Sequence, residues 1–256
     1  MMNQILLVLS MLVCSAPVCA GAAAQKSCYT SQMRAEMKPF LMPSDHPAKP
    51  VLDSIFGVYG VTEDIDSMKR AGFEAVSFRP FTFLVVTRHP SLPGYLQKMY
   101  FESEKRVKQQ RPGWQWLVRR CQGAKNVRDL IREKKLKHFK APRKWLYRLP
   151  QKPFSCSQPV ILLVEDMQLV GQLESDAVWK GKLNHEILDE LYVIISHGFA
   201  SSHIGWNIPY SKDGRFACID TEHPKRKPNY EWVKLYLSKE MARYWDSLVK
   251  NGGPKK

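Results

Sequence analysis

The chain of 256 residues has few cysteines, and no two of them form a CxxC pair. Because structural zinc sites are built mainly from such closely spaced pairs, the sequence argues against a zinc site. Loss of an N-terminal segment would leave four widely spaced cysteines, which are Cys28, Cys121, Cys156 and Cys218. An even number permits one or two disulfides in any of three pairings, and buried free thiols at Cys121 and Cys218 fit the sequence at least as well.

Charge is absent from the first 24 residues, which include an apolar run over residues 5–13. A run of this length followed by small residues is typical of a signal peptide, although the usual positive charge before the run is missing. No second apolar stretch is long enough to cross a bilayer. The sequence therefore predicts an exported protein, periplasmic or secreted, with a signal peptide over residues 1–24 and no transmembrane span in the mature chain.

Acidic residues are scarce in residues 98–152, which carry 18 Lys and Arg against 4 Asp and Glu. Nearly all of the net charge of +15 lies in this segment. Such a segment can attract an anionic ligand, an acidic protein surface or nucleic acid, but the chain has no nucleic-acid-binding motif. A solvated helix face explains the same charges equally well. The sequence leaves the oligomeric state open.

Hydrophobic periodicity and turn residues predict a chain of mixed α and β structure. Residues 26–50 contain four prolines and predict an irregular N-terminal arm, which a short helix over residues 64–71 follows. Strands over residues 78–87 and 95–101 form a predicted hairpin whose second strand carries Lys98. Further helices are predicted over residues 114–137, 184–196 and 230–248, and further strands over residues 144–149, 159–164 and 215–219.

The predicted helix over residues 114–137 is the clearest element, because its apolar residues recur at helical spacing. One face should pack on the sheet, and the other should be cationic. The cationic positions are Arg119, Arg120, Lys125, Arg128, Arg132 and Lys135.

Residues 197–222 contain two candidate metal ligands. A turn is predicted at residues 212–214 because Gly214 can take the positive φ that a tight turn requires. The turn would bring Asn207 and Asp220 to the two ends of one hairpin. Two such oxygen-bearing side chains can bind Mg²⁺ together with the oxygens of a phosphate. Alternatively, Asn207 is a turn residue and Asp220 merely ends a strand.

In the order of its elements, the chain resembles the protein-kinase-like superfamily over residues 73–250. The resemblance implies that Lys98, on its strand, contacts nucleotide phosphates. It also implies that the acidic connector after the fifth strand, from Glu165 to Met167, holds an adenine through its backbone. ATP is the nucleotide that the resemblance implies.

The resemblance further implies that Asn207 and Asp220 ligate Mg²⁺. The step of thirteen residues from Asn207 to Asp220 is the one that is familiar in this family. The ending Ile-Asp-Thr-Glu at residues 219–222 is more similar to the aminoglycoside-kinase branch than to the Asp-Phe-Gly of protein kinases.

The chain departs from the family's pattern at positions that the family uses in catalysis. The family's catalytic Asp should stand five residues before Asn207, where this chain has Ser202. The neighbouring His203 is a candidate proton acceptor in its place. No glycine-rich phosphate loop is recognised before Lys98, and the cationic helix offers no Glu to pair with that lysine before Asp129.

These features predict an α+β fold with two lobes, in which an antiparallel sheet and a long helix precede a reduced, mainly helical second lobe. Beyond the signal peptide, the predicted divisions are an N-terminal arm over residues 25–72, a first lobe over 73–164, a second lobe over 165–250 and a tail over 251–256.

The predicted function is that of an exported, kinase-like protein, catalytically impaired or a pseudokinase, that binds a nucleotide or another anionic ligand. If the protein is an enzyme, the resemblance implies a phosphotransferase. The alternative is a secreted basic module that engages an anionic partner through residues 98–152 and has no nucleotide site.

Overall fold

The computed structural model describes residues 30–58, 60–79, 84–100, 112–150 and 159–254. These residues form an α+β fold around a five-stranded antiparallel sheet, which confirms the predicted class. The predicted signal peptide, together with Cys28 and Cys156, lies outside the described ranges. Cys121 and Cys218 are buried free thiols, one of the two alternatives that the sequence left open.

The large sheet has the spatial order β1-β2-β3-β6-β5, and β4 pairs in parallel with β7 in a separate two-stranded sheet. The strands are β1 (Glu74–Arg79), β2 (Leu84–Arg88), β3 (Tyr95–Tyr100), β4 (Phe139–Lys140), β5 (Lys144–Arg148), β6 (Val160–Glu165) and β7 (Phe216–Ala217).

Nine helices are described, and a short 3-10 turn over Lys38–Phe40 follows the first. They are α1 (Ser31–Met37), α2 (Lys49–Phe56), α3 (Ile65–Arg70), α4 (Gly113–Lys134), α5 (Gln172–Gly181), α6 (His185–Ser196), α7 (Ile204–Asn207), α8 (Tyr230–Lys234) and α9 (Lys239–Asn251). Among the described residues, no helix has both the length and the apolar character needed to cross a membrane.

The two faces of the large sheet pack against different helices, because side chains alternate along each strand. On one face, Tyr100 and Leu162 pack with Leu117 and Cys121 of α4. The opposite face carries a second cluster of strand residues, which packs against Leu52 of α2. Helix α4 is therefore one support of the sheet, as its apolar stripe predicts.

Helix α4 also joins the sheet to a third cluster made mainly of helices. Val127 and Leu130, in its second half, pack with Leu191 of α6 and with Trp245 of α9. The helix predicted over residues 184–196 is present as α6, and Asn184 caps it by accepting a hydrogen bond from the N–H of Ile187 at 2.9 Å.

The N-terminal arm is helical over residues 31–40 and from residue 49, so the prediction of an irregular conformation over residues 26–50 is wrong there, whereas residues 41–48 lie outside the helices. Helices α1 and α2 lie within the arm, and their Met37 and Leu52 are fully buried. The prolines do not prevent this. Pro39 lies at the start of the 3-10 turn and Pro50 at the start of α2. The N–H groups at the start of a helix have no partner within the helix, so a proline there costs no hydrogen bond.

Three other predicted elements differ in extent. The strand expected over residues 78–87 overlaps the end of β1 and most of β2, and residues 80–83 of it lie outside the described ranges. The strand expected over 215–219 is only the two residues of β7. The last helix is two helices, because Ser238 caps a new start by accepting from the N–H of Met241.

Candidate functional site

The backbone brings Asn207 and Asp220 next to each other. The N–H of Ile219 donates to the carbonyl oxygen of Asn207 at 3.0 Å. The turn between them follows the predicted form, since Gly214 has φ of 82° and its N–H donates to the carbonyl oxygen of Ser211 at 3.0 Å. The two candidate ligands therefore belong to one local site.

The side chain of Asn207 is tethered within its own loop. Asn207 ends α7, and its Nδ2 donates to Oγ of Ser201 at 2.9 Å. This contact fixes the orientation of the amide plane and helps to hold the segment over residues 201–207 in place.

The carboxylate of Asp220 is engaged by a cation from helix α4. Nη1 of Arg120 donates to Oδ1 of Asp220 at 3.2 Å, and Nη2 of the same guanidinium donates to Oε2 of Glu222. The Arg120 side chain is 7% exposed, against 34% for Asp220 and 23% for Glu222. One buried guanidinium thus pairs with two partly buried carboxylates.

The third contact of Arg120 is with the sheet. Its Nε donates to the hydroxyl oxygen of Tyr100 on β3 at 3.1 Å. Burial disfavours the charged form, but the contacts with Tyr100 and the two carboxylates outweigh burial and raise the pKa of the guanidinium above its ordinary value. Arg120 therefore carries a permanent positive charge beside Asp220.

Lys144, on β5, is a second buried cation-forming group at this site. Its Nζ donates to Oγ1 of Thr221 at 2.7 Å and to the carbonyl oxygen of Ile219 at 3.1 Å. Burial lowers the pKa of Lys144 well below its ordinary value, and the charges of Lys98 and Arg120 add to this effect. The amine holds both residues that flank Asp220.

Lys98 lies on the same sheet face as Tyr100, two positions along β3. Its register partner is Leu162, which in turn faces Leu146 of β5.

Burial alone would raise the pKa of Asp220, but the positive charges around it outweigh burial and lower the pKa. Those charges come from Arg120, Lys144 and Lys98, in decreasing order of effect. Lys98 and Asp220, predicted from the sequence, are therefore electrostatic neighbours.

The predicted connector is already bonded within the protein. The N–H of Glu165 donates to the carbonyl oxygen of Arg143 at 3.0 Å. The carbonyl oxygen of Met167 accepts from Nζ of Lys140 at 3.0 Å. Glu165 stands three register pairs from Lys98, which is about 10 Å along the strands. The connector therefore begins at the end of β6, the strand that pairs with the strand of Lys98, and part of its backbone is already hydrogen-bonded within the protein.

Ser202 and His203 have structural contacts. Oγ of Ser202 accepts from the N–H of Asn229 at 3.0 Å, which ties the loop over residues 223–229 to the start of α7. The ring of His203 lies against the ring of Trp232, with 3.9 Å between the centroids. Among the described contacts, none links His203 with Asp220. Both side chains thus have contacts of a structural kind, and the role of His203 as a proton acceptor stays a prediction.

A divalent ion does not fit the arrangement around Asp220 as it stands. Magnesium is held by oxygen ligands with free lone pairs, usually one or two carboxylates plus phosphate oxygens. Here one oxygen of each of these two carboxylates, Oδ1 of Asp220 and Oε2 of Glu222, already accepts from Arg120. With Lys98 also close, an added divalent cation would face positive charge. We therefore do not propose that Asn207 and Asp220 bind Mg²⁺.

Another group of possible ligands, which the sequence reasoning missed, lies elsewhere. Atoms of His138, Glu186 and Glu190 lie within 4.8 Å of one another. Glu190 caps the start of β4, since its two oxygens accept from the N–H groups of Lys137 at 2.8 Å and His138 at 2.9 Å. The ring Nδ1 of His138 lies 3.3 Å from Glu190 Oε1 without hydrogen-bond geometry. Glu190 thus supports the local fold, and the three side chains together form a group that could hold a metal ion.

Helix α4 is less cationic at its surface than its sequence indicates. Arg120 is buried, Arg128 donates to the carbonyl oxygen of Pro142, and Nε of Arg119 donates to the carbonyl oxygen of Glu222 at 3.3 Å. Three of the six predicted surface cations are thus directed at the protein itself. The helix was predicted to have one cationic face, and only part of that face carries its cations at the surface.

Compared with known proteins, the chain matches no protein-family model and no curated protein.

Proposed function

We propose that this chain is an exported protein with a compact, two-lobed, kinase-like fold, which binds the phosphate of a nucleotide or another small anion beside Lys98. In this proposal the protein is a pseudokinase, because the site lacks the groups needed for phosphoryl transfer. ATP is the first ligand to test, as a free nucleotide.

The observation that carries the proposal is the meeting of separate chain segments at one charged site. Lys98 from β3, Arg120 from α4 and Asp220 from the segment after β7 gather on one face of the sheet. Clusters of charged groups with shifted pKa values are characteristic of binding and catalytic sites. The order of strands, β1-β2-β3-β6-β5 with α4 between β3 and β5, suits the expected first lobe.

Loss of catalysis follows from the position of the candidate bases. Phosphoryl transfer depends mainly on positioning and on charge stabilisation, with a carboxylate to orient the nucleophile. Ser202 has no carboxylate and is bonded to Asn229, while His203 packs on Trp232. Neither side chain offers a free base next to Asp220.

Thermal unfolding in the presence of ATP or ADP tests the proposal. A ligand at about ten times its Kd stabilises the folded state by about 1.4 kcal/mol, which is a measurable rise in Tm. We expect this rise in the wild-type protein and its loss in Lys98→Ala. The matched control is Lys180→Ala, because Lys180 is exposed on α5 far along the chain from the site. No rise at millimolar nucleotide would contradict the proposal.

The alternative function, a secreted basic module, is favoured by the cations that remain at the surface. Arg132 is 79% exposed and Lys137 is 77% exposed, and both lie within residues 98–152. The three consecutive cations at residues 225–227 are exposed as well. An anionic polymer could therefore bind without using the site at Asp220.

A further inference from the structure

Two carboxylates and one guanidinium form a closed unit at the proposed ligand site. Arg120 donates one nitrogen to Asp220 at 3.2 Å, another to Glu222, and its Nε to Tyr100 at 3.1 Å. Three of its donor groups are thus used by three different partners. A planar guanidinium suits this role, because its donors project in fixed directions.

We infer that the guanidinium of Arg120 takes the place of a divalent metal ion at this site, and that the site binds its anionic ligand in a metal-free form. This inference rests on the proposed function, since it specifies the ligand of the same site.

The position of Arg120 is fixed by its helix as well as by its ion pairs. Oγ1 of Thr221 donates to the carbonyl oxygen of Arg120 at 2.8 Å. One turn further along α4, a Cβ on Gly123 would lie only 2.2 Å from the carbonyl oxygen of Thr221. Helix α4 therefore lies in direct backbone contact with the segment that carries Asp220. The ion pairs belong to this packed contact, unlike a chance pair at the surface.

Removing the guanidinium from the carboxylates would be costly. A buried charge that loses its partner keeps the cost of desolvation without the compensating attraction. A divalent ion that took the place of the guanidinium between the two carboxylates would have to displace Arg120, whose side chain is only 7% exposed. The structure thus favours a permanent cation from the protein over an exchangeable one.

The balance of charge at the site also favours an anionic ligand that binds without a metal ion. Among the described residues, Arg120, Lys144 and Lys98 act on Asp220 as positive charges, while Asp220 and Glu222 supply two negative charges. A metal ion would add positive charge to a site that has already neutralised its carboxylates. A phosphate group, in contrast, is attracted by the cations that are already present.

Isothermal titration calorimetry with ATP, in EDTA and in MgCl₂, distinguishes metal-free binding from binding that requires Mg²⁺. We expect a Kd in EDTA that is equal to or lower than the Kd in MgCl₂. We also expect Asp220→Asn to keep binding, tightened about fivefold, which corresponds to about 1 kcal/mol of removed repulsion. The Asn side chain still has an oxygen that can accept from Arg120, so this variant keeps the local contact.

Several results would overturn the inference. Binding that requires Mg²⁺ and disappears in Asp220→Asn would mean that the carboxylate is a metal ligand, although the proposed function would stand. Absence of ATP binding in both solutions would remove the inference and the proposed function together. Circular dichroism shows whether Asp220→Asn is folded; if it is not, Glu222→Gln takes its place, with retained binding in EDTA again expected.

Discussion

Lys144 shows how one buried side chain can order the chain around a site. Its amine lies under Asp220 and holds the flanking Ile219 and Thr221 by hydrogen bonds at 3.1 Å and 2.7 Å. The residue is 5% exposed, and burial is the largest cause of its lowered pKa. An amine in its neutral form can still donate both bonds.

The lowered pKa of Lys144 predicts a pH-dependent contribution to stability. Between that lowered pKa and the ordinary value of 10.5, the unfolded chain binds a proton that the folded chain does not bind. The contribution of Lys144 to the free energy of unfolding therefore rises with pH in this window, by at most about 1.4 kcal/mol per pH unit. We expect the deficit of Lys144→Met relative to the wild type to grow from pH 7 to pH 10.

Urea denaturation of both proteins at each pH checks this prediction. Cys121 and Cys218 are present in both proteins, and burial raises the pKa of each thiol to about 12. Their contribution to the pH dependence of stability therefore cancels in the comparison. Lys180→Met serves as the exposed control and should show no such trend. A deficit that stays constant across the range would show that Lys144 is protonated in the folded protein.

Arg120 marks the limit of what the sequence could predict about the site. Asp220, Asn207 and Lys98 could be selected from their spacing and from a resemblance. The structure places the backbone of Asn207 beside Asp220, and Lys98 is among the charges that act on Asp220. The partners of Arg120 stand 100 and 102 residues away along the chain, so no local pattern identifies them. The one available signal is that Arg120 adjoins the apolar stripe of α4, next to Cys121, which favours an inward position.

At the scale of whole elements, the contact of α4 with the segment after β7 depends on Gly123. This glycine lies in the middle of α4, where a glycine weakens a helix relative to alanine. The structure gives the reason for it, since the carbonyl oxygen of Thr221 occupies the place that a Cβ would need. A side chain at this position would force α4 away from Asp220.

Gly123→Ala is therefore expected to destabilise the protein, although alanine favours helix formation. Overpacking of this kind costs about 1–3 kcal/mol, against a gain in helix propensity of about 1 kcal/mol. Gly181→Ala is the matched control, because a Cβ there would meet nothing within 4 Å, and it should leave stability unchanged or slightly higher. Chemical denaturation measures both variants. Equal stability of the two would indicate that α4 does not pack closely on this segment.

The elements differ in how well the sequence predicted them, for physical reasons. Helices α4 and α6 and strand β6 have long or continuous apolar patterns, and their positions were predicted to within a few residues. Helix α5 was missed because it buries only three residues, while its Leu173 is 88% exposed, so its apolar residues follow no helical stripe. The arm helices were missed because prolines were interpreted as interruptions.

The distribution of charge over the whole molecule differs from its distribution along the sequence. Lys125 and Arg132 of α4 both pair with Asp129, at 2.5 Å and 2.8 Å. In contrast, the exposed cations at residues 225–227 form no ion pair with any residue in the described ranges. Their loop is also held in place, since the N–H of Arg226 donates to the carbonyl oxygen of Gly198 at 2.9 Å.

An anionic polymer should therefore bind more strongly to this loop than to α4. Cations that pair with carboxylates are partly neutralised, whereas unpaired cations can replace counterions on the polymer. We expect the triple change Lys225→Gln, Arg226→Gln and Lys227→Gln to elute from heparin at a clearly lower NaCl concentration than the wild type. A matched triple change in α4 should shift elution less. Its positions are Lys125, Arg132 and Lys134.

Both triple variants lose three positive charges, so a difference between them cannot come from net charge alone. Thermal unfolding should show that both retain the wild-type Tm within a few degrees, because surface changes of this kind alter stability by at most about 0.5 kcal/mol. A larger loss of retention in the α4 variant would favour the basic module over residues 98–152. Equal losses would mean that retention follows total charge, and the loop would then have no special part in binding.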